Sequence, residues 1–279
     1  QVIAGCHIEG PWISAMDGPR GAHPVAHVRP ADFAEFVRWQ QVSGGLVRIV
    51  TLAPEVPNAI EVVKQIVKTG VRVSIGHTAA SPPEITAAID AGATLGTHLG
   101  NGCSAMVPRH DNIFWSQLYD DRLICSIIAD GWHVPKSMLN CIVRCKTLER
   151  LILTSDVSGF GGFPAGRYST GDVEVDIVND GRIVVAGQTQ FLAGSGATTG
   201  DCVVQFMSMC GVSLQEAWKL ASIRPAALLN RHDEFLAEGQ TANLTLFRIS
   251  GLAEYGTTGI QPTLEYQPVG TVIHGQVVS

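Results

Sequence analysis

The sequence predicts an α/β protein built as a (β/α)8 TIM-type barrel, with the first strand of the barrel missing from this chain. Short apolar runs rich in β-branched residues alternate with helical segments of about a dozen residues, which is typical of βαβ units and a parallel sheet buried on both faces. Six such runs precede Asp156, and this many repeats favours a barrel over a doubly wound sheet. No GxGxxG follows the first run, which disfavours a dinucleotide-binding fold.

The elements of the predicted barrel follow one another in regular order. The predicted strands are Val2–Cys6, Leu46–Leu52, Val71–Ile75, Thr94–His98, Leu123–Ala129 and Leu151–Ser155. The predicted helices between them are Ala31–Val42, Asn58–Thr69, Pro83–Ala91, Asn112–Tyr119 and Lys136–Lys146.

The pattern changes after Ser155. Two strands, Asp172–Val178 and Arg182–Ala186, flank an Asn-Asp-Gly turn and predict a hairpin. The segments that follow are predicted as helices at Thr198–Cys210 and Ser213–Ser222 and as strands at Asn243–Phe247 and Thr271–Val278. We therefore expect a barrel domain over residues 1–235 and a small β domain over residues 236–279, a β-sandwich part that the C-terminus completes.

Composition excludes several classes of protein. The 279 residues are 46% hydrophobic and 16% charged, which indicates a globular chain with a large core and not a disordered one. A net charge of −6 gives no basic footprint for nucleic acid, and no apolar run is long enough to predict a membrane span. The seven cysteines form no CxxC pair, so we expect small reduced core residues in a cytoplasmic protein.

Residues capable of binding metal or transferring protons follow several predicted strands. Glu9, His77, His98 and Asp156 each stand at or just past a strand end, where the mouth of a parallel barrel collects its catalytic side chains. Another such ending, Ala129-Asp130-Gly131-Trp132-His133, lies just past the fifth strand. A single histidine in this place is usually structural, but the recurrence at one layer of the barrel favours a functional site.

The side chains indicate metal-assisted hydrolysis. Glu9, His77 and His98 offer one oxygen and two nitrogens, a set that suits one Zn²⁺ with a position left for water. Such a metal lowers the pKa of its water to about 7. Asp156 is then placed to take the proton and pass it to the leaving group.

A series of short motifs occurs in order along the chain. They are His7-Ile8-Glu9-Gly10-Pro11-Trp12, Gly21-Ala22-His23-Pro24, Gly76-His77-Thr78, Thr97-His98-Leu99-Gly100-Asn101, Asp130-Gly131-Trp132-His133, Ser155-Asp156, Leu192-Ala193-Gly194-Ser195 and Ala221-Ser222-Ile223-Arg224-Pro225-Ala226. Together they resemble the motifs of the N-acetylglucosamine-6-phosphate deacetylases, which belong to the amidohydrolase superfamily of metal-dependent barrels. The superfamily's His-x-His pair is absent from these residues, so we expect that its strand lies upstream of this chain.

The resemblance implies a role for each matched residue. Glu9, His77 and His98 would hold one divalent metal, usually zinc, with Fe²⁺, Co²⁺ or Mn²⁺ as alternatives. Asp156 would shuttle the proton, and His23 would polarise the acetamide carbonyl. The remaining matched positions would bind a phosphorylated amino sugar: Ala22, Asn101, Gly102, Arg109, His133, Leu192, Ala193 and Gly194. Arg109 and His133 would reach the phosphate from a partner subunit, which implies a homodimer.

Two features depart from the family's pattern, and two other functions stay open. Asp17-Gly18-Pro19-Arg20 lengthens the loop before His23, and Gly102-Cys103-Ser104 replaces the Ala-Met expected after Asn101. The first alternative is an amidohydrolase acting on another N-acyl amine or a cyclic amide. The second is an inactive barrel that serves as a binding module, against which the intact Glu9, His77, His98 and Asp156 argue.

Overall fold

A six-stranded parallel sheet forms the centre of the fold. The computed structural model describes residues 3–231, 237–253, 255 and 263–278. The sheet has the order β1-β2-β3-β4-β5-β6, and every neighbouring pair is parallel. It curls as half of a barrel. Its strands are β1 (Cys6–Glu9), β2 (Val47–Leu52), β3 (Arg72–Ile75), β4 (Leu95–Gly96), β5 (Ile124–Ile128) and β6 (Leu151–Thr154).

A helix connects each pair of consecutive strands from β1 to β6. These helices are α1 (Phe33–Val42), α2 (Ala59–Val67), α3 (Pro82–Asp90), α4 (Ile113–Tyr119) and α5 (Lys136–Lys146). Asp32 and Asn112 accept backbone N–H groups at the starts of α1 and α4, and a Ser81–Glu84 capping box starts α3. The alternation of strand and helix predicted from the sequence is confirmed.

The core lies between these helices and the sheet. Val50, Leu52, Val73, Ile75 and Ile127 are wholly buried within the strands. Removing this apolar surface from water is the main driving force for the fold, at about 25 cal/mol per Å². The strands accordingly have the near-continuous apolar sequence of a parallel sheet that is covered on both faces.

A three-stranded antiparallel sheet follows β6. It consists of β7 (Gly166–Thr170), β8 (Val173–Ile177) and β9 (Ile183–Val185), in that order. The β8–β9 hairpin turns at Gly181, whose φ of 87° favours glycine, and this confirms the predicted turn. Strand β7 was not predicted, because its residues are polar and mostly exposed and lack the apolar alternation of a half-buried strand.

The last part of the chain adds three helices and a third sheet. The helices are α6 (Thr199–Cys210), α7 (Leu214–Ala221) and α8 (Ile223–Leu228). The antiparallel strands are β10 (Leu244–Ser250), β11 (Glu265–Ile273) and β12 (Gln276–Val277). Trp218 of α7 stacks on Phe247 of β10, with ring centroids 4.4 Å apart, and this contact joins the sheet to the helices. The predicted domain boundary at 235/236 lies outside the described residues.

One prediction needs correction and another remains unconfirmed. Within the described residues the first strand starts at Cys6, not at Val2, so that His7 and Glu9 belong to the strand itself. Val2 lies outside the described residues. An eight-stranded barrel needs two strands beyond these six, so the prediction of one missing strand is not confirmed.

The cysteines are free, as predicted, but most are not core residues. Only Cys125 and Cys202 are buried, while Cys6, Cys141 and Cys145 are exposed. Cys6 begins an edge strand, and the other two lie on the outward side of α5, where apolar neighbours in sequence do not mean burial. No helix in the described part of the chain is long and apolar enough to cross a membrane.

Candidate active site

One carboxylate and two imidazoles converge at the mouth of the half-barrel. Oε1 of Glu9 lies 2.9 Å from Nε2 of His77 and 2.8 Å from Nε2 of His98. The two Nε2 atoms are 3.0 Å apart. Within the described residues, no other group of three or more such side chains could hold a metal ion.

The backbone places these side chains by a repeated device. His77, His98 and Asp156 each stand two residues after the end of their strand, β3, β4 and β6 respectively. All three have positive φ, at 50°, 28° and 50°. Non-glycine residues rarely adopt this conformation, and at functional sites the surrounding structure holds them in it. Glu9, by contrast, is the last residue of β1.

Backbone from two loops clamps the ring of His77. Its Nδ1 lies 2.9 Å from the carbonyl oxygen of Pro19. A Cβ added at Gly21 would stand 3.0 Å from the ring, and one at Gly102 only 2.8 Å from Nδ1. Both positions therefore need glycine, and the ring has little freedom to rotate.

The donor set fits a divalent metal. A carbonyl oxygen can only accept, so Nδ1 of His77 carries the proton and donates it to Pro19. A neutral His77 then presents a lone pair at Nε2 toward the Glu9 oxygen and Nε2 of His98. A proton on His98 or a divalent cation between the three atoms would stabilise lone pairs this close, and two imidazoles with a carboxylate are a usual set for zinc.

Electrostatics favour the charged carboxylate. Burial by itself would raise the pKa of Glu9, but the hydrogen bonds with His77 and His98 outweigh it and hold that pKa far below its usual range. Burial likewise opposes a charge on His98, yet the contact with Glu9 raises its pKa. Glu9 is thus an anion at neutral pH, as a metal ligand must be.

Asp156 and His23 lie beside the three potential ligands. Burial, assisted by the negative charge of Glu9, raises the pKa of Asp156. The ring of His23 meets that of His77 edge-on, with centroids 4.6 Å apart. Burial and the neighbouring His77 lower the pKa of His23 to about 4, so that its imidazole is neutral at pH 7.

A cavity of about 510 Å³ opens over these groups. It brings together twelve of the thirteen residues that the sequence predicts for the site. They are Glu9, Ala22, His23, His77, His98, Asn101, Gly102, His133, Asp156, Leu192, Ala193 and Gly194. The exception is Arg109, which is exposed in the loop before α4 and does not line the cavity.

His133 lines the cavity of its own chain. Its side chain is only 6% exposed. The sequence predicts that His133 acts across a subunit boundary, whereas the position of its side chain favours a role within its own chain. Its strand, β5, delivers it to the same mouth as Glu9 and His98.

Two residues without a predicted role hold parts of the cavity wall. Asp130 stands two residues after β5, and its Oδ2 lies 2.7 Å from Nδ1 of His133. Ser195 donates its hydroxyl to the same oxygen at 2.9 Å. The position of Asp130 after its strand was the available signal, whereas its contact with Ser195 spans 65 residues of sequence.

His7 links β1 to the neighbouring strands beneath the site. It shares a face of β1 with Glu9, and its Nε2 lies 2.6 Å from the hydroxyl of Thr51. The hydroxyl of Thr51 is also hydrogen-bonded to that of Thr97 at 2.7 Å, and the hydroxyl of Thr97 is hydrogen-bonded to that of Ser74 at 2.5 Å. The hydrogen-bonded layer ties β1, β2, β3 and the segment after β4 together beneath the site.

Known proteins with similar sequences are sugar-phosphate deacetylases. No family model matches the chain. N-acetylglucosamine-6-phosphate deacetylase from Bos taurus is 37% identical over 81% of this chain and 56% of its own length. N-acetylgalactosamine-6-phosphate deacetylase from Escherichia coli O157:H7 is 34% identical over 81% of this chain and 59% of its own. The chain therefore spans a little over half the length of these relatives.

Solved structures of deacetylases are similar to this chain in fold as well. The solved structure of a variant N-acetyl-D-glucosamine-6-phosphate deacetylase from Mycobacterium smegmatis, in complex with N-acetyl-D-glucosamine-6-phosphate, superimposes with a TM-score of 0.83. It is 31% identical, and the match covers 98% of this chain and 68% of that one. This chain belongs to the N-acetylglucosamine-6-phosphate deacetylase family.

Proposed function

We propose that this protein hydrolyses the acetamide of N-acetylglucosamine 6-phosphate, releasing acetate and glucosamine 6-phosphate. One observation carries the proposal: Glu9, His77 and His98 converge within 3.0 Å of one another, at the floor of a cavity that Asp156 and His23 also line. A single divalent metal, zinc in our proposal, would be held by these three residues. When bound, it would lower the pKa of water to about 7 and so supply a nucleophile at neutral pH.

Asp156 accounts for the proton transfers. As the water oxygen bonds to the acetamide carbon, the carboxylate of Asp156 takes the water proton. Asp156 then gives that proton to the sugar nitrogen as the carbon–nitrogen bond breaks, so that an amine and acetic acid leave, and the acid loses its proton to the amine or to solvent to become acetate. Its raised pKa suits both steps, because a general acid–base works best with a pKa closer to the working pH.

His23 assists at the carbonyl oxygen. With a pKa of about 4 it is neutral at pH 7, and a neutral imidazole can donate one N–H bond to the oxygen on which negative charge develops. Neutrality also avoids a second positive charge beside a bound cation. His23 therefore acts as a hydrogen-bond donor and not as an acid.

The rest of the cavity fits a sugar and its phosphate. Ala22, Leu192, Ala193 and Gly194 would line the sugar. Asn101, the backbone of Gly102 and the ring of His133 would lie on the phosphate side. Cys103 also lines the cavity, next to Gly102. It occupies the position where the family's pattern has methionine, and its smaller side chain leaves more room.

Arg109 would complete the phosphate site from a second copy of the chain. It lies outside the cavity of its own chain, in an exposed loop that also carries Met106, which is 88% exposed. Tyr119 at the end of the following helix is 86% exposed. Exposed apolar side chains in this loop and in the helix that follows it are typical of an interface between subunits, which supports a homodimer. The free thiols fit the reducing cytoplasm.

Acetate release from a panel of substrates tests the proposal. The zinc-loaded protein should act on N-acetylglucosamine 6-phosphate and far more slowly on N-acetylglucosamine. N-acetylgalactosamine 6-phosphate belongs in the panel because one relative is named for that substrate. A preference for neutral N-acyl amines or cyclic amides would contradict the phosphosugar, and no hydrolysis of any amide would favour an inactive binding module.

A further inference from the structure

Asp130 is placed like a catalytic residue, but its carboxylate contacts His133 and Ser195. It stands two residues after β5, as His77, His98 and Asp156 stand after their strands. Its side chain is only 3% exposed. A buried carboxylate is costly unless its oxygens are hydrogen-bonded, so its partners show what holds it there.

Four hydrogen bonds satisfy Asp130. Oδ1 accepts the backbone N–H groups of Trp132 and His133 at 2.9 and 3.0 Å. Oδ2 faces Nδ1 of His133 at 2.7 Å and accepts the hydroxyl of Ser195 at 2.9 Å. Despite burial, these contacts keep the pKa of Asp130 below its usual value. The group is therefore an anion that only accepts.

This arrangement fixes the protonation of His133. Because an ionised carboxylate cannot donate, Nδ1 of His133 must carry a proton. Nε2 is then the nitrogen left to face the cavity, where it can contact a substrate.

Asp130 also joins the two walls of the cavity. Ser195, which it holds, follows directly on Leu192–Gly194 and donates its backbone N–H to the carbonyl of Asp156 at 2.7 Å. The carboxylate of Asp130 thus contacts the ring of His133 and, through Ser195, is connected to the Leu192–Gly194 segment and to the backbone of Asp156.

We infer that Asp130 is a positioning residue that holds His133 as an Nδ1–H donor, so that its Nε2 can bind the phosphate of the substrate. The inference rests on the proposed function for the identity of the ligand. The state of the His133 ring is independent of it and can be measured without substrate.

Asp130→Asn is the informative substitution. The two backbone N–H groups require an acceptor, so Oδ1 of the asparagine stays toward them and its NH₂ faces His133. That NH₂ can only donate, which forces Nδ1 of His133 to become an acceptor and moves the proton to Nε2. The effect of a carboxylate-to-amide change on the tautomer of an attached histidine is known from the serine protease triad.

The ring state is read by ¹⁵N NMR of protein labelled at histidine, with His133 assigned by its loss in a His133→Gln sample. We expect Nδ1 to be protonated in the parent and unprotonated in Asp130→Asn. An unchanged tautomer would overturn the inference, whatever the substrate proves to be.

Kinetics test the consequence for binding. Loss of a charge-assisted contact to phosphate should raise KM for N-acetylglucosamine 6-phosphate by about tenfold or more, with kcat changed far less. KM for unphosphorylated N-acetylglucosamine should hardly move. Equal effects on both substrates would overturn the assignment to phosphate binding.

Ser195→Ala is the matched control. It removes the other hydrogen bond to the same carboxylate oxygen and leaves the contact with His133 in place. It should retain both the Nδ1–H tautomer and the discrimination between the two substrates. If it matched Asp130→Asn in both readouts, Asp130 would serve only to brace the Leu192–Gly194 segment, and the inference would be wrong.

Discussion

The carbonyl oxygen of Pro19 lies 2.9 Å from Nδ1 of His77. This one contact decides which nitrogen of His77 is available to a metal, because the carbonyl takes the Nδ1 proton and leaves the Nε2 lone pair beside Glu9 and His98. Pro19 belongs to the loop that is longer than the family's pattern leads us to expect. The loop therefore contributes to the metal site directly.

The Gly102→Ala substitution should weaken metal binding. The added Cβ would stand 2.8 Å from Nδ1 of His77, so the ring must shift away from Pro19. Changes in the surroundings of a ligand typically cost about 10- to 100-fold in metal affinity, and competition with a chromogenic chelator would measure this.

Gly70→Ala provides the control for this substitution. Gly70 also has positive φ, at 83°, but nothing lies within 4 Å of its would-be Cβ. It should lose about 1 kcal/mol of stability from backbone strain and none of its zinc affinity. Equal affinity losses in the two variants would mean that strain, and not contact with His77, causes the effect.

Replacement of Asp156 by Asn should stop turnover and leave the metal in place. Asp156 is not one of the three converging ligands, and loss of a general acid–base costs about 10²- to 10⁴-fold in kcat. Acetate release and elemental analysis on the same sample would check this. Joint loss of metal and activity would instead make Asp156 a structural part of the metal site.

Arg109→Met should raise KM for the phosphosugar when both subunits of the homodimer carry the substitution. Co-expression with Asp156→Asn offers a sharper test, because a mixed dimer contains one site with an intact Asp156 and an Arg109 from its partner. We expect such mixtures to regain activity at low substrate concentration. Failure to do so in isolated mixed dimers would place Arg109 outside the partner's site.

Glu35 should stabilise the protein in a pH-dependent way. It accepts from Nη2 of Arg29 at 2.5 Å and from Nε1 of the wholly buried Trp12 at 3.0 Å, so it anchors the loop that follows Glu9. The hydrogen bond from Arg29 and, less strongly, that from Trp12 lower its pKa. Its stabilisation is therefore complete above the pKa of an unfolded glutamate and disappears as the pH falls through the lower, folded value.

The variant Glu35→Gln should accordingly lose about 1–2 kcal/mol at pH 7 in urea unfolding. The loss should shrink as the pH approaches about 3, where the unfolded glutamate is protonated. Glu61→Gln, which removes an exposed pair with Lys64 at 3.7 Å, should cost at most about 0.5 kcal/mol at either pH. A loss for Glu35→Gln that is constant with pH would show that its charge does not matter.

Local sequence was sufficient to predict the strands of the parallel sheet and the clustering of Glu9, His77 and His98. Apolar runs and helix caps fixed five of the six parallel strands closely, and residues just past strand ends became neighbours because all carboxyl ends of a parallel sheet face one way. Glu9, His77 and His98 thus converge from positions 21 to 89 residues apart.

Other features depend on tertiary contacts that leave no local signal. Strand β7 is polar and exposed, so nothing in its periodicity marks it as a strand. Asp130 contacts Ser195, which is 65 residues away in sequence, and Arg109 lies outside the cavity although it is only 11 residues after His98. Resemblance could assign residues to a site, but only the structure could show that His133 lines the cavity of its own chain.

The most direct test is a zinc titration of metal-free protein, with acetate release from N-acetylglucosamine 6-phosphate followed in the same samples. The account predicts that activity rises linearly and stops rising at one zinc per chain, and that Glu9→Gln abolishes the rise. Acetate release that is independent of zinc, or full occupancy of the site without any release, would contradict it.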